Sequence, residues 1–252
     1  MPPPAGRALP REEIERRVGS VETWYHCIDL GHGVVTPGVF DMRPFVGEYG
    51  IPEDLGGIEA LDVGASNGFF SFLLAARGAR VLASELPGFA AHDLPGWWRE
   101  RRIAELGPEG LGRIDHHEVT GGFEVAREIL DAPVERVFAR IDELPRRVER
   151  RFDLVLCSNV LPHVRDPLGA LEAVREVLRP GGRLILAAPT DRSQPSASYA
   201  VFVPDPDVFA WWVPSAAALL GMCRKAGFEE PAIRGEFEVA SRTGPPRREW
   251  IT

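Results

Sequence analysis

The stretch LDVGASNG, residues 61–68, decides the fold of this 252-residue chain. It overlaps the end of an apolar run, IEALDV (58–63), that has the length and composition of a buried strand. It leads into an apolar segment, 69–77, which predicts a helix ending at Gly78. Glycine lets the backbone of such a strand-to-helix turn approach a ligand closely. The sequence therefore predicts an α/β fold with a ligand site at this turn.

Three kinds of site use a turn of this type. Gly64, Ser66 and Gly68 fit the G-x-S-x-G elbow of a hydrolase, with Ser66 as the nucleophile. That elbow normally follows several strands, whereas this turn follows the first, and the downstream acid Asp153 begins a strand and would point away from the site. The nicotinamide or flavin pattern G-x-G-x-x-G fails, because its third glycine falls at Phe69. Both sites remain alternatives to a third kind.

The third kind is a site for S-adenosylmethionine. It needs an acid at the end of the first strand, a glycine-rich turn under the amino-acid part of the cofactor, and a second acid after the next strand. Asp62, the turn at 64–68 and Glu85 meet these needs, since 79–84 predicts the second strand. A carboxylate there can accept two hydrogen bonds from ribose hydroxyls. This combination favours S-adenosylmethionine.

Strands and helices alternate along the rest of the chain. Further strands are predicted at 134–141, 152–157 and 183–188, with one or two closing strands within 228–240. Helices are predicted at 11–18, 97–106, 123–130, 167–178 and 215–226. Such alternation is typical of βαβ units. We predict a Rossmann-like, mostly parallel seven-stranded sheet flanked by helices. An N-terminal extension and lid (1–50) precedes the binding domain (51–252), and a late insertion spans 190–213.

Bulk properties narrow the function class. No apolar run reaches the roughly 18 residues of a membrane span, and no apolar signal segment stands at the N-terminus. The three cysteines are scattered, which predicts no disulfide framework and favours a cytoplasmic protein without a membrane partner. The net charge of −8 argues against a nucleic-acid partner. The sequence predicts no oligomeric state.

The motifs resemble those of class I methyltransferases. LDVGASNG is similar to their first motif, with Ser66 in place of a glycine; VLASE (81–85) is similar to the second, and residues 152–189 resemble the block around the fourth and fifth strands. Residues 24–44, 122–130 and 211–228 resemble small bacterial methyltransferases grouped with the tRNA wobble-uridine carboxymethyltransferase. That enzyme holds an extra cofactor carboxylate with lysines, and the corresponding N-terminal region here has none, which favours plain S-adenosylmethionine.

The resemblance implies which residues contact the cofactor. The turn would line its methionine side, Glu85 would hold the ribose, and Arg43 would pair with its carboxylate. The whole expected set, in chain order, is Trp24, Arg43, Asp62, Gly64, Ala65, Ser66, Gly68, Glu85, Leu86, Ile141, Asp142, Ser158 and Asn159. Leu86, Ile141 and Asp142 would lie along the adenine, and Ser158 and Asn159 beneath the sulfonium.

The histidines supply candidates for a catalytic base. His163 follows the fourth strand, so its loop would face the methyl group, and it is the first candidate. His26, in the aromatic N-terminal segment, is the second. Packing within their loops is the alternative for both. A Mg²⁺ site from His92, Asp93 and His116 is conceivable but not indicated, so no metal ligands are predicted.

Aromatic residues supply the expected acceptor wall, which consists of Tyr25, Tyr199, Phe202 and Trp212. Aromatic faces stack on flat apolar surfaces, which suits a sugar or a glycosylated natural product. Packing of the N-terminal segment on the core is the alternative role. The function predicted from the sequence is O-methylation of a small molecule. Modification of a tRNA wobble uridine, or cofactor binding without catalysis, remain alternatives.

Overall fold

The computed structural model describes residues 9–116, 121–194, 196–242 and 248–251. Its centre is a five-stranded parallel sheet with the strand order β3-β2-β1-β4-β5. The strands are β1 (Glu59–Val63), β2 (Arg80–Glu85), β3 (Val134–Phe138), β4 (Phe152–Ser158) and β5 (Leu178–Ala187). The predicted parallel Rossmann-like core is therefore present.

Helices and short 3-10 turns connect these strands. The helices are α1 (Arg11–Gly19), α2 (Phe69–Ala76), α3 (Gly96–His116), α4 (Gly122–Leu130), α5 (Leu144–Arg147), α6 (Pro167–Val177) and α7 (Ala216–Lys225). The 3-10 turns are Arg43–Tyr49, Phe89–Ala91, Ile141–Glu143 and Leu161–His163. Ser215, the predicted start of the last helix, caps α7 by accepting the N–H of Ala218 at 3.2 Å. No described helix is long and apolar enough to cross a membrane.

The predicted seven-stranded sheet is not confirmed, because the main sheet contains five of the described strands. β8 (Phe237–Ala240) and β9 (Arg248–Ile251) pair with each other in an antiparallel sheet of their own. An isolated β-bridge between Pro189 and Ile251 connects this hairpin to the chain just beyond β5. Proline has no N–H to donate, so a ladder cannot continue through it.

Three further differences concern the bounds or the content of predicted segments. The helix predicted at 97–106 is the first half of α3, which continues past a kink at Gly107, where φ is 64° and ψ is 176°. The predicted late insertion contains a hairpin of β6 (Ala200–Phe202) and β7 (Trp212–Pro214). The strand predicted at 183–188 begins earlier, at Leu178, with a shift of register opposite Phe152.

The two faces of the sheet carry different cores. Asp62, Ala83 and Arg136 are partners across β1, β2 and β3, so they share one face. This face packs against α1, α2, α4 and the N-terminal segment, including Trp24 and Met42. The opposite face packs against α5, α6 and α7. The described part of the predicted N-terminal lid thus forms part of a core, and polar groups of β1 to β3 lie on its side.

Candidate functional site

Backbone hydrogen bonds join the turn after β1 to the end of β2. The N–H groups of Gly64 and Ala65 both donate to the Ser84 carbonyl at 3.0 Å. Gly64, Ser66 and Gly68 have φ values of 72°, 48° and 89°, in the left-handed region that favours glycine. Ser66, which replaces a glycine of the motif, therefore adopts a conformation that costs free energy. A Cβ on Gly68 would stand 2.6 Å from Phe72, so the turn also needs glycine for packing.

Glu85 at the end of β2 closes the turn. One carboxylate oxygen accepts the N–H of Ser66 at 2.6 Å, and the other accepts the N–H of Leu86 at 2.8 Å. Burial raises the pKa of Glu85, while these hydrogen bonds and the charges of Arg136 and His92 lower it. Each oxygen can accept a second hydrogen bond. Glu85 therefore retains the acceptor capacity that a ribose diol requires.

Asp62 lies beneath the turn, without direct access to solvent. It is 2% exposed, and one oxygen accepts the Ser71 hydroxyl at 2.5 Å. Burial raises its pKa to about 7, with the Glu85 charge adding to that rise. Because Ser71 belongs to α2, Asp62 ties the sheet to the helix that follows the turn.

Ser158 and Asn159 follow β4, beside the same turn. The hydroxyls of Ser158 and Tyr49 lie 3.0 Å apart. Asn159 has a φ of 58° and donates its N–H to the Ala187 carbonyl at 2.8 Å. Its side-chain Oδ1 is buried and has no hydrogen-bond partner within the described residues. A buried acceptor without a partner is costly, so Asn159 suits the ammonium of a bound amino-acid group.

The end of β4 contacts the glycine turn directly. A Cβ on Gly64 would stand 2.5 Å from the side chain of Val160, the residue after Asn159. The unpaired Asn159 acceptor and the Glu85 carboxylate thus flank a turn with a bare backbone. This arrangement fits a nucleoside that carries an amino acid.

Two residues expected to cover the cofactor have other partners. Trp24 is 2% exposed, and its indole N–H donates to the Val18 carbonyl at 3.2 Å. Arg43 forms an ion pair with Asp41 at 2.7 Å, and that pairing raises the pKa of Arg43. Trp24 therefore belongs to the core. Arg43 would reach a cofactor carboxylate only by leaving Asp41, so both assignments stay predictions.

The residues expected near the adenine lie after β3. Ile141 is buried in the core of the second face. Asp142 is half exposed and pairs with Arg140 at 3.0 Å. Phe138, the last residue of β3 and the partner of Glu85 in the ladder, is 38% exposed. Its exposed ring, which was not predicted from the sequence, thus lies beside the strand that ends at Glu85.

His26 is buried among aromatic rings. It contacts the rings of Tyr25, Phe69 and Phe70, and its Nδ1 is without a hydrogen-bond partner in the described part of the chain. Burial lowers its pKa to about 3. A base is most effective when its pKa is close to the working pH, so His26 is a weak candidate for the catalytic base.

His163 is held by a segment far along the chain. Its Nδ1 contacts the backbone carbonyl of Phe209. A carbonyl can only accept, so this contact places the proton on Nδ1 and leaves Nε2 as the acceptor. Burial lowers the pKa of His163 as well, although its contact with Phe209 opposes that shift. Asp153, the acid of the hydrolase alternative, pairs with Arg179 at the start of β4 and does not contact His163.

Two insertions meet above the carboxyl ends of the strands, and we call them the cap, residues 89–116 and 200–214. Trp98 donates to Asp207 at 2.9 Å, and the Trp98 and Phe209 rings lie 5.4 Å apart. Trp211 donates its indole N–H to the Asp93 carbonyl at 2.6 Å. The cap is therefore one packed unit, built from segments about 110 residues apart.

The four expected acceptor residues are not all in one place. Phe202 and Trp212 lie together on the cap, with ring centroids 5.4 Å apart, and the indole of Trp212 donates to the Arg165 carbonyl. The hydroxyl of Tyr199 contacts Asp191, near the base of the hairpin. Tyr25 lies on the N-terminal segment and donates its N–H to Asn67 at 2.5 Å. The structure thus divides the set among the cap, the chain just before its hairpin and the N-terminal segment.

The residues considered for a metal site are engaged elsewhere or not described. Asp93 accepts the N–H of Arg165 at 2.8 Å and forms an ion pair with its guanidinium. The side chain of His116 lies outside the described residues. The described residues contain no cluster of three or more histidines, cysteines or acids suited to a metal ion.

Some residues around the site escaped the sequence analysis. Tyr49 contacts Ser158 across 109 positions, and Asn67 contacts Tyr25 across 42. Arg136 is buried between the rings of Phe123 and Phe138, near Glu85. One signal in the sequence could have identified Arg136. The alternation of side chains along β3 places this charged residue on the buried face of the strand.

Comparison with known proteins agrees with this geometry. The family model described as "Methyltransferase domain" matches residues 42–230. The tRNA U34 carboxymethyltransferase of Helicobacter acinonychis (strain Sheeba) is 26% identical over 186 residues, which cover 71% of this chain and 57% of that protein. The ubiquinone biosynthesis O-methyltransferase of Cereibacter sphaeroides (strain ATCC 17029 / ATH 2.4.9) is 29% identical over 190 residues, covering 71% of this chain and 63% of that protein. The chain thus spans about three-fifths of these relatives.

Solved structures share the fold. The N-terminal domain of EvdMO1, crystallised in the presence of S-adenosylhomocysteine and D-fucose, has a TM-score of 0.60 and 22% identity, covering 96% of this chain and 95% of that one. The YcgJ protein from Bacillus has a TM-score of 0.51 and 15% identity, covering 76% and 70%. Together with the family match, these findings identify S-adenosylmethionine as the cofactor.

Proposed function

Because this chain belongs to the methyltransferase domain family, we propose that it transfers a methyl group from S-adenosylmethionine to a hydroxyl of a small molecule, namely a sugar or a glycosylated natural product. The observation that carries the proposal is the pair of polar groups around the glycine turn. Glu85 presents a carboxylate at the end of β2, and Asn159 presents a buried, unpaired oxygen after β4. Ribose hydroxyls and an ammonium are the groups that match them.

Methyl transfer asks little covalent chemistry of the protein. S-adenosylmethionine supplies a methyl group on a sulfonium that is already a leaving group. Glu85 and the turn fix the nucleoside, and Asn159 fixes the amino-acid end, so the acceptor can be aligned with the methyl group. The packed cap limits the access of water to the carboxyl ends of the strands, where these residues lie.

His163 is the proposed base for the acceptor hydroxyl. The contact of Nδ1 with the Phe209 carbonyl orients the ring and leaves Nε2 free to take a proton. With S-adenosylmethionine bound to supply the methyl group, Nε2 of His163 would take the proton that the acceptor hydroxyl loses as its oxygen gains the methyl group. His26 stays a second candidate, since its Nδ1 has no hydrogen-bond partner in the described residues.

Two features favour a small hydroxylated acceptor. One relative is named a ubiquinone biosynthesis O-methyltransferase, and a structural neighbour was crystallised with D-fucose, which makes sugars the first class to test. The net charge of −8 also disfavours a polyanion. A wobble uridine of tRNA is the second candidate, because another relative is named a tRNA U34 carboxymethyltransferase.

The proposal is tested by calorimetry followed by a turnover screen. We expect the protein to bind S-adenosylhomocysteine, and we expect a mass increase of one methyl group on one or more sugars or glycosides supplied with S-adenosylmethionine. Absence of S-adenosylhomocysteine binding would contradict the proposal. Strong tRNA binding that weakens steeply with salt would favour the second candidate. Binding without turnover of any acceptor would favour a non-catalytic binding protein.

A further inference from the structure

Exposed apolar side chains are concentrated on the cap. Nine large apolar side chains are exposed in the described part of the chain, and five of them belong to the cap. These five are Trp97, Val201, Phe202, Val208 and Phe209. Trp97 is 61% exposed, whereas its neighbour Trp98 is 5% exposed and packs in the cap core. A cluster of exposed apolar groups is typical of a binding surface.

A small hollow lies within this cluster, with a volume of about 190 Å³. Its walls combine aromatic and proline rings, namely Trp97, Phe202, Trp211, Pro95, Pro204 and Pro206. Asp205 is the only charged residue in the lining, and it already accepts the N–H of Asp207 at 2.9 Å. Rigid, apolar walls of this kind bind flat apolar groups.

The size of the hollow restricts its occupant. An engineered protein cavity of roughly 150 Å³ accommodates benzene. About 190 Å³ therefore accommodates one substituted six-membered ring. A protein partner would need roughly 800 Å² of surface, far more than this hollow offers. A sugar ring would need several polar partners, and the lining offers one carboxylate. An uncharged aromatic ring matches both the volume and the walls.

One wall of the hollow contacts the loop that carries the proposed base, His163. The backbone N–H of Trp211 donates to the Pro162 carbonyl at 2.6 Å. The guanidinium of Arg165 lies 4.6 Å from the centre of the Trp211 ring. His163 lies between Pro162 and Arg165 in the chain, and it contacts the Phe209 carbonyl. The Trp211 wall of the hollow is thus joined directly to the loop that carries His163.

We propose that the cap hollow binds an uncharged aromatic ring of the acceptor, next to the hydroxyl that receives the methyl group. This inference rests on the proposed function and narrows its substrate class to acceptors that carry an aryl group, such as aryl glycosides. Trp97 and Phe202 form the outer walls, and Trp211 forms the wall on the side of His163.

The test uses 4-fluorophenol as a ring probe. Its binding is measured by fluorine NMR in the presence of saturating S-adenosylhomocysteine. We expect saturable binding to the wild-type chain. Removal of one stacking wall costs about 1 kcal/mol, so Trp97→Ala and Phe202→Ala each weaken binding about five-fold. Leu168→Ala is the matched control, because Leu168 is 40% exposed on α6 and lies outside the hollow. It should bind the probe like the wild type.

Several results would overturn the inference. One is absence of saturable binding, and another is a Trp97→Ala variant with wild-type affinity for the probe. A third is a concentration-dependent dimer in sedimentation velocity that Trp97→Ala abolishes, since the surface would then join two copies of the chain. Calorimetry with S-adenosylhomocysteine on the same samples separates the two proposals. If S-adenosylhomocysteine binds and the probe does not, only the inference about the hollow is wrong.

Discussion

The Glu85 carboxylate accepts the backbone N–H of Ser66 at 2.6 Å, which fastens the end of β2 to the middle of the glycine turn. Ser66 needs this support, because its φ of 48° is unfavourable for a residue with a Cβ. The same carboxylate is the proposed acceptor for the ribose hydroxyls. One side chain therefore both shapes the turn and binds the nucleoside.

Replacement of Glu85 should weaken cofactor binding strongly. Hydrogen bonds to a charged group contribute about 1.5–3 kcal/mol each, so Glu85→Ala should weaken S-adenosylhomocysteine binding about 100-fold or more. Glu85→Gln keeps one acceptor oxygen and should show a smaller loss. Calorimetry gives both affinities. Glu53→Ala is the control, because its side chain is 89% exposed and forms an ion pair with Arg77, away from the turn. Wild-type affinity in Glu85→Ala would contradict the assignment.

The buried carboxyl of Asp62 should make stability depend on pH. Its pKa is about 7 in the folded chain and ordinarily 3.8, so the folded state holds a proton that the unfolded chain has lost between these values. The stability that depends on this proton is complete below about pH 4 and is lost as the pH rises through 7. The loss is at most about 4 kcal/mol. Asp62→Asn, which cannot ionise, should escape it.

Urea unfolding at pH 5 and pH 8 measures this effect. The stability of Asp62→Asn relative to the wild type should increase between the two values. Asp153→Asn is the matched control, because pairing with Arg179 lowers the pKa of Asp153, and its contribution is lost only as the pH falls through that lowered value. A stability difference for Asp62→Asn that does not change between pH 5 and pH 8 would show that this carboxyl stays ionised.

Loss of His163 should affect turnover and leave cofactor affinity intact. A positioned general base contributes about 100- to 10,000-fold, so His163→Ala should lower kcat by that range with any acceptor that the screen identifies. Its affinity for S-adenosylhomocysteine should equal that of the wild type. His32→Ala, an exposed histidine on a turn of the N-terminal segment, is the control. If His163→Ala keeps the wild-type kcat, the base lies elsewhere.

Two glycine variants should have opposite effects on stability. Gly68→Ala introduces a Cβ 2.6 Å from Phe72 at a φ of 89°, and should lower the free energy of unfolding by about 2 kcal/mol or more. Gly221 lies within α7 with open space around it, so Gly221→Ala should raise that free energy by about 0.5–1 kcal/mol. Thermal melts of both variants measure the difference. A Gly68→Ala variant as stable as the wild type would show that the turn accommodates a side chain.

The sequence was most informative where local signals agree. The strand, turn and helix around residues 61–77 combine an apolar run, glycines and a stop at Gly78, and the structure shows all three elements. The alternation of strands and helices predicted that the strands of the main sheet are parallel, and the five strands are. Local patterns also predicted the residue that caps the N-terminus of α7, since Ser215 stands directly before an apolar helical segment.

Contacts between distant segments could not be predicted in the same way. Nothing local pairs Tyr49 with Ser158, or sets Arg136 between two rings. Trp24 was expected to cover the cofactor, because it lies in an aromatic and glycine-rich segment, and such composition does not distinguish a cover from a core. The predicted number of seven strands is not confirmed for a similar reason, because pairing at the edge of the sheet depends on contacts between distant segments such as Pro189 and Ile251.

Two hydrogen bonds that attach the cap to the rest of the chain end on main-chain oxygens. Trp211 donates its backbone N–H to the Pro162 carbonyl, and Trp212 donates its indole N–H to the Arg165 carbonyl. Every amino acid carries such a carbonyl, so these two hydrogen bonds do not depend on which side chains stand at the accepting positions. Descendants of this fold could therefore acquire new acceptor preferences by sequence drift in the hairpin, while the half of the protein that holds the nucleoside stays under separate selection.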